Sequence, residues 1–197
     1  MVDHFASPLA HLAGRLEAAG NDQVAVEEIP FLTQLNVRAT PDGAAFTAIR
    51  AALGVALPRT PNTVTRTEDL LAMWLGPDEW LVLGPATQQD HLEKLVRHAV
   101  GEEFGTVTDV SAQRTVLRVS GPMATDLLAG GCALDLDAGV FTDGHCAQTL
   151  LAKAPVLLAR EERAVLVAVR SSFADYLARW LLDAMNGSHS GSSVHST

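Results

Sequence analysis

The feature that most constrains what this chain can fold into is a pattern that occurs twice. Leu35-Asn-Val-Arg-Ala-Thr-Pro-Asp-Gly43 starts with strand-like alternation, and Pro41, Asp42 and Gly43 then open a run with helical spacing, Ala44 to Leu53, which Gly54 closes. About 80 residues later, Leu117-Arg-Val-Ser-Gly-Pro122 alternates in the same way. Pro122 sits where a first helical position accepts proline, ahead of Met123 to Ala129, and Gly130 and Gly131 stop that helix. Leu35 and Val37 correspond to Leu117 and Val119, and Leu53 and Leu57 correspond roughly to Leu134 and Leu136.

The segments beyond the two helices repeat as well. Leu71-Ala-Met-Trp-Leu75, the turn Gly76-Pro-Asp-Glu79 and Trp80-Leu-Val-Leu83 predict a hairpin, with Pro77 suited to the second turn position. In the second half, Thr149–Ala152, Val156–Arg160 and Ala164–Val169 predict strands, with Glu161, Glu162 and Arg163 turning between the last two. Each set runs into an amphipathic helix, one with Leu92, Leu95, Val96 and Ala99 on its stripe, the other with Phe173, Leu177, Trp180, Leu181 and Ala184. The expected fold class is α+β, built of two pseudo-repeated strand-helix-strand-strand-helix halves. At 197 residues the working assignment is a single domain over residues 1–185, with halves at about 30–100 and 105–185. The polar tail 186–197 is expected to be disordered.

Composition narrows the function. With 48% hydrophobic residues, 19% charged residues and a mean hydropathy of +0.16, the chain is apolar enough to suggest that a partner covers part of its surface. No stretch reaches the roughly 18 apolar residues of a membrane span, and Asp3 and His4 stand where a signal peptide carries basic residues, so the expectation is a cytoplasmic protein. A net charge of −9 without basic clusters opposes binding to nucleic acid or to anionic lipid. Cys132 and Cys146 are too few for a disulfide framework and are expected to remain thiols.

No candidate site is complete. Asp109, Ser111 and Arg114 form a polar knot, but no histidine base lies near Ser111 in sequence and no glycine-framed elbow follows it. Asp109 and Ser111 are therefore expected to bond backbone amides. Cys132, His145 and Cys146 are zinc-type ligands without the paired spacing of a structural site, and adjacent residues in a strand point to opposite faces. Asp78 and Glu79 read as solvated turn residues; Trp74 and Trp80 flank that turn and read as hairpin packing or as an interface. His4, His11, His91 and His98 fall in pairs seven apart, as on one side of a helix, with no third ligand. Gly130-Gly131 ends a helix, whereas phosphate loops open one. The expectation is a chain with no catalytic, cofactor-binding or metal residue of its own.

Val107-Thr-Asp-Val-Ser-Ala-Gln-Arg-Thr-Val-Leu-Arg-Val-Ser-Gly-Pro-Met-Ala-Thr-Asp-Leu-Leu128, continuing through Gly131-Cys-Ala-Leu-Asp-Leu136, resembles the gamma subunit of heterotetrameric sarcosine oxidase. Ser7-Pro-Leu-Ala10, Phe141, Gly144 to Thr149 and Arg170-Ser-Ser-Phe-Ala174 agree with it. The resemblance implies the fold of the folate-binding domain of glycine-cleavage aminomethyltransferases, itself made of two related halves. It also implies a complex in which an alpha subunit holds NAD and a folate site, beta holds FAD, covalent FMN lies between them, and delta carries zinc. Such a complex oxidises sarcosine with dioxygen to glycine and hydrogen peroxide, and in the presence of tetrahydrofolate it yields methylenetetrahydrofolate. The gamma chain is credited with no cofactor.

Two other readings compete. A stand-alone folate-binding protein of the aminomethyltransferase-like class would carry a Lys-Gly-Cys-Tyr-x-Gly-Gln segment, of which only Gly131-Cys132 has a counterpart. A small hydrolase would use Ser111 or Cys132 as nucleophile.

Overall fold

The computed structural model describes residues 6–190, so His4 and residues 191–197 of the tail lie outside it. A short 3-10 turn (Ala10–Leu12) leads into α1 (Ala13–Ala19), then β1 (Ala25–Ile29), β2 (Leu32–Ala39), α2 (Ala44–Leu53), β3 (Val64–Arg66), β4 (Leu71–Gly76), β5 (Glu79–Ala86) and α3 (Gln89–Val100). The second half continues with β6 (Gly105–Asp109), β7 (Arg114–Ser120), α4 (Ala124–Ala129), β8 (Cys146–Leu151), β9 (Ala154–Glu161), β10 (Ala164–Arg170) and α5 (Ser171–Ser190). The chain is α+β.

The described residues form two five-stranded sheets, in the orders β3-β4-β5-β2-β6 and β8-β9-β10-β7-β1. The orders match position for position, which makes the duplication visible as topology. Each half lends its first strand to the other half's sheet. β1 pairs antiparallel with β7, from Ala25 opposite Ser120 to Ile29 opposite Val116. β6 pairs antiparallel with β2, from Leu35 opposite Asp109 to Ala39 opposite Gly105. By packing the chain forms two compact units, one of residues 30–113 with 144–147, the other of the remainder.

In the unit of residues 30–113, alternate strand positions face two helices. Leu35, Val37 and Ala39 of β2, Ala72 of β4, Trp80 and Val82 of β5 and Val107 of β6 form one core with Phe46, Ile49 and Leu53 of α2 and Val96 and Val100 of α3. The period of two along each strand and of three to four along each helix is what lets these side chains converge. The indole of Trp80 is fully buried, tilted against Phe46 at 5.3 Å between ring centres, and its Nε1 donates to the Pro58 carbonyl at 2.7 Å. Truncating such a ring costs about 3–5 kcal/mol.

Both surface helices sit slightly differently from the sequence reading. α3 buries Val96 and Val100, with Leu92 packed beside them, and leaves Leu95 exposed. The stripe is thus the i, i+4, i+8 row. α5 buries Ala174, Leu177, Ala178, Leu181, Leu182 and Met185, while Phe173 and Tyr176 stay exposed and Trp180 half-buried. The two alanines sit within the buried row, and the large aromatic residues fall beside it on the outer side of the helix. α5 also continues past Met185 to Ser190, so residues 186–190 of the expected tail are helical. Once a long buried face has nucleated a helix, each further residue adds a hydrogen bond at little ordering cost. Among the described residues no helix is long and apolar enough to cross a membrane.

Candidate functional site

The polar knot closes β6 onto β2. Asp109 Oδ1 accepts from the Ser111 amide at 2.9 Å and from Ser111 Oγ at 2.5 Å, and Ser111 Oγ in turn accepts the Gln34 amide at 2.9 Å. The Val110 amide donates to the Gln34 carbonyl at 2.8 Å, so the turn is stitched to β2 at two points. A nucleophilic serine needs its oxygen free to attack and a base to take its proton. Here that oxygen already accepts a main-chain amide, and no imidazole among the described residues is bonded to it. Arg114 opens β7, opposite Arg170 of β10.

The Ser-Gly-Pro element is a close-packing device. Gly121 has φ +101, and a β-carbon there would lie 2.4 Å from the carbonyl oxygen of Gln23, a clash with backbone that cannot give way. The Met123 amide donates to that same oxygen at 2.9 Å, which ties the start of α4 to the segment before β1. Beside it lies an open groove of about 490 Å³ lined by Pro122, Thr125, Arg160, Glu162 and Arg163, with Arg160 donating to Thr125 Oγ1 at 3.0 Å. Gly131 is a second close approach. A β-carbon there would fall 2.6 Å from the Trp180 ring, and the Gly131 carbonyl accepts the Ala152 amide at 2.8 Å.

The sulfur and imidazole residues do not assemble. Cys132 bridges to Leu151, with its Sγ 4.0 Å from Thr149 Oγ1. Cys146 is buried, its thiol donating to the Thr63 carbonyl at 3.4 Å and to the Trp74 carbonyl at 3.5 Å. Burial pushes that thiol up to about 11, against a smaller opposing effect of its hydrogen bond at Trp74. His145 is half-buried and bridges to Thr63. Among the described residues no group of three or more His, Cys, Asp or Glu is placed to hold a metal ion.

Asp78 and Glu79 serve the hairpin. Both oxygens of Asp78 accept from one arm of Arg38, Nη2, each at 3.0 Å, and Glu79 Oε1 accepts Asn36 Nδ2 at 2.7 Å, so two carboxylates at the turn grip β2. Trp74 and Trp80 are cross-strand partners, Trp80 fully buried and Trp74 half-buried. His91 and His98 are exposed on α3. His11 instead pairs with Asp175 at 2.7 Å, and Arg179 holds the same carboxylate at 2.8 and 3.1 Å.

Glu28 escaped the sequence reading. It sits in β1, half-buried, and its two oxygens accept Ser7 Oγ at 2.5 Å and Thr115 Oγ1 at 2.6 Å. Thr115, 87 residues away, reaches Glu28 through the β1–β7 register, while Ser7, 21 residues away, comes from the segment ahead of the 3-10 turn.

With this geometry in view, the likeness to known proteins has a structural meaning. The model of the sarcosine oxidase, gamma subunit family matches residues 38–187. Among curated relatives, sarcosine oxidase subunit gamma of Corynebacterium sp. (strain U-96) is 39% identical over 185 residues, covering 91% of this chain and 89% of that protein. The Arthrobacter sp. subunit of the same name is 39% identical over 182 residues with the same coverage. Among solved structures, a chain of the heterotetrameric sarcosine oxidase from Corynebacterium sp. U-96, in complex with pyrrole 2-carboxylate, superimposes with a TM-score of 0.87 at 36% identity over 98% of both chains. Glycine cleavage system aminomethyltransferase T from Bartonella henselae shares the fold, with a TM-score of 0.64 at 15% identity over 89% of this chain and 56% of that one. The chain therefore belongs to the sarcosine oxidase gamma subunit family.

Proposed function

We propose that this chain is an accessory subunit of a cytoplasmic heterotetrameric sarcosine oxidase, working beside alpha, beta and delta subunits and contributing no catalytic, cofactor-binding or metal residue of its own. FAD, FMN, NAD, tetrahydrofolate and zinc belong to the other subunits in this reading. The assembled complex oxidises sarcosine to glycine, reduces dioxygen to hydrogen peroxide and passes the one-carbon unit to tetrahydrofolate as methylenetetrahydrofolate.

The observation that carries this reading is the match over 98% of both chains with a chain of a heterotetrameric sarcosine oxidase. The site geometry supports it, because the Ser111 hydroxyl already donates to Asp109 and accepts the Gln34 amide. Co-expression with its partner subunits tests it. The chain is expected to co-purify with flavin-bearing subunits and to show no turnover alone, and omitting it is expected to lower the yield of active complex. Turnover by the isolated chain that Ser111→Ala or Cys132→Ala abolishes would refute it. So would micromolar tetrahydrofolate binding by the isolated chain, which is the behaviour of a stand-alone folate-binding protein.

A further inference from the structure

The turn between α3 and β6 presents Phe104 to solvent at 88% exposure, against 58% for Val140, the next large apolar side chain among the described residues. A single exposed hydrophobic residue is ordinary, but the mounting of this one is not. The Gly101 amide donates to the Arg97 carbonyl at 3.2 Å and the Glu103 amide to the Val100 carbonyl at 3.0 Å, so the turn is bonded to the end of the helix. On its other side Gly105 is already registered opposite Ala39 of β2. Phe104 is thus held between two anchored ends, and docking it orders little more than its own side chain.

The two residues before it in the chain are acidic. Glu102 and Glu103 precede Phe104, both are exposed, and among the described residues neither enters an ion pair. A rigid aromatic ring beside unpaired charge is the composition of an interface anchor: the ring fills a pocket, and the rim charges set orientation and choice of partner.

We infer that Phe104 is an anchor for another subunit of the oxidase, which receives the ring in an apolar pocket rimmed by Lys or Arg facing Glu102 and Glu103. This rests on the subunit reading above. Self-pairing is disfavoured by charge, because a second copy of a chain of net charge −9 offers an acidic surface to an acidic turn.

The test is competitive incorporation into the whole complex. Wild-type chain and Phe104→Ala chain, carrying different tags, are co-expressed with the other subunits, and complexes are purified through one of those subunits. The proposal expects the variant to be under-represented by about tenfold or more, the loss expected on removing an interface anchor. The double variant Glu102→Lys, Glu103→Lys is expected to be under-represented as well, with the deficit shrinking as salt is raised during assembly. Because the Phe104 ring lies almost wholly in solvent, thermal unfolding of the variant chain should match wild type, and a lowered midpoint would assign the ring a role in the fold instead. Equal incorporation of both chains overturns the anchor and leaves the subunit reading standing. Recovery of neither chain with the complex overturns that reading itself. Loss of gamma–gamma association in Phe104→Ala, with unchanged incorporation, assigns the turn to a second copy and also overturns the proposal.

Discussion

Ser111 Oγ stands between the carboxylate of Asp109, at 2.5 Å, and the amide of Gln34, a residue 77 positions earlier in the chain, at 2.9 Å. The hydroxyl is therefore a relay that fastens the end of β6 to β2. Ser111→Ala leaves the Gln34 amide without its acceptor, and a partly buried donor left in that state costs about 1–3 kcal/mol. The expected result is a lower unfolding midpoint with unchanged sarcosine turnover per assembled complex, read from denaturant melts alongside peroxide production. Stability unchanged with turnover abolished would instead make Ser111 chemical.

The contact between Gly131 and Trp180 gives a second test. A β-carbon at position 131 would meet the outer ring of the indole at 2.6 Å and the Ala152 nitrogen at 3.1 Å. Gly131→Ala should destabilise by about 1–3 kcal/mol through overpacking. Trp180→Leu removes the ring atoms nearest the clash, so the double variant should be less destabilised than the sum of the two single changes. A double-mutant cycle measures that coupling, and additive effects would place the cause elsewhere.

Much of the fold was legible because each strand and helix carries its own period. α2 was legible to the residue, from the Pro-Asp-Gly opening to Gly54, and the alternation of β2, β7 and the two hairpins announced the strands beside them. What the pattern does not hold is pairing. β1 has adjacent Glu27 and Glu28, and β3 is three residues long, so neither shows an apolar alternation long enough to read. The exchange of first strands between halves depends on which edges meet, a long-range matter that leaves no local mark. The candidate site divides the same way. The bonds of Ser111 to Asp109 are set by their spacing, whereas Gln34 joins them only through the β2–β6 register.

Cys146 provides a chemical test of burial. Its thiol lies at about 11, so at pH 8 roughly one part in a thousand is thiolate, the reactive form. Cys146 should resist a disulfide reagent in the native protein and react once the chain is unfolded. Cys146→Ala should leave the number of fast-reacting thiols in the native protein unchanged. A fast thiol lost in that variant would show that the site opens readily.

On α5, Arg179 and, to a lesser degree, His11 hold the Asp175 carboxyl down to about 2, below its ordinary value of 3.8. A carboxylate whose pKa is depressed on folding stabilises the native state above its unfolded pKa, and the contribution disappears as pH falls through the folded value. The advantage of wild type over Asp175→Asn should therefore be present at about pH 5, decline as the pH falls through the range between the two values, and be lost by about pH 1. All three side chains are about half exposed, so the effect should be modest and should shrink in 1 M salt, where the screening length is only about 3 Å. Thermal unfolding at stepped pH for both proteins reads this directly. An advantage that persists undiminished at about pH 1, or that ignores salt, would mean that Asp175 acts through packing rather than charge.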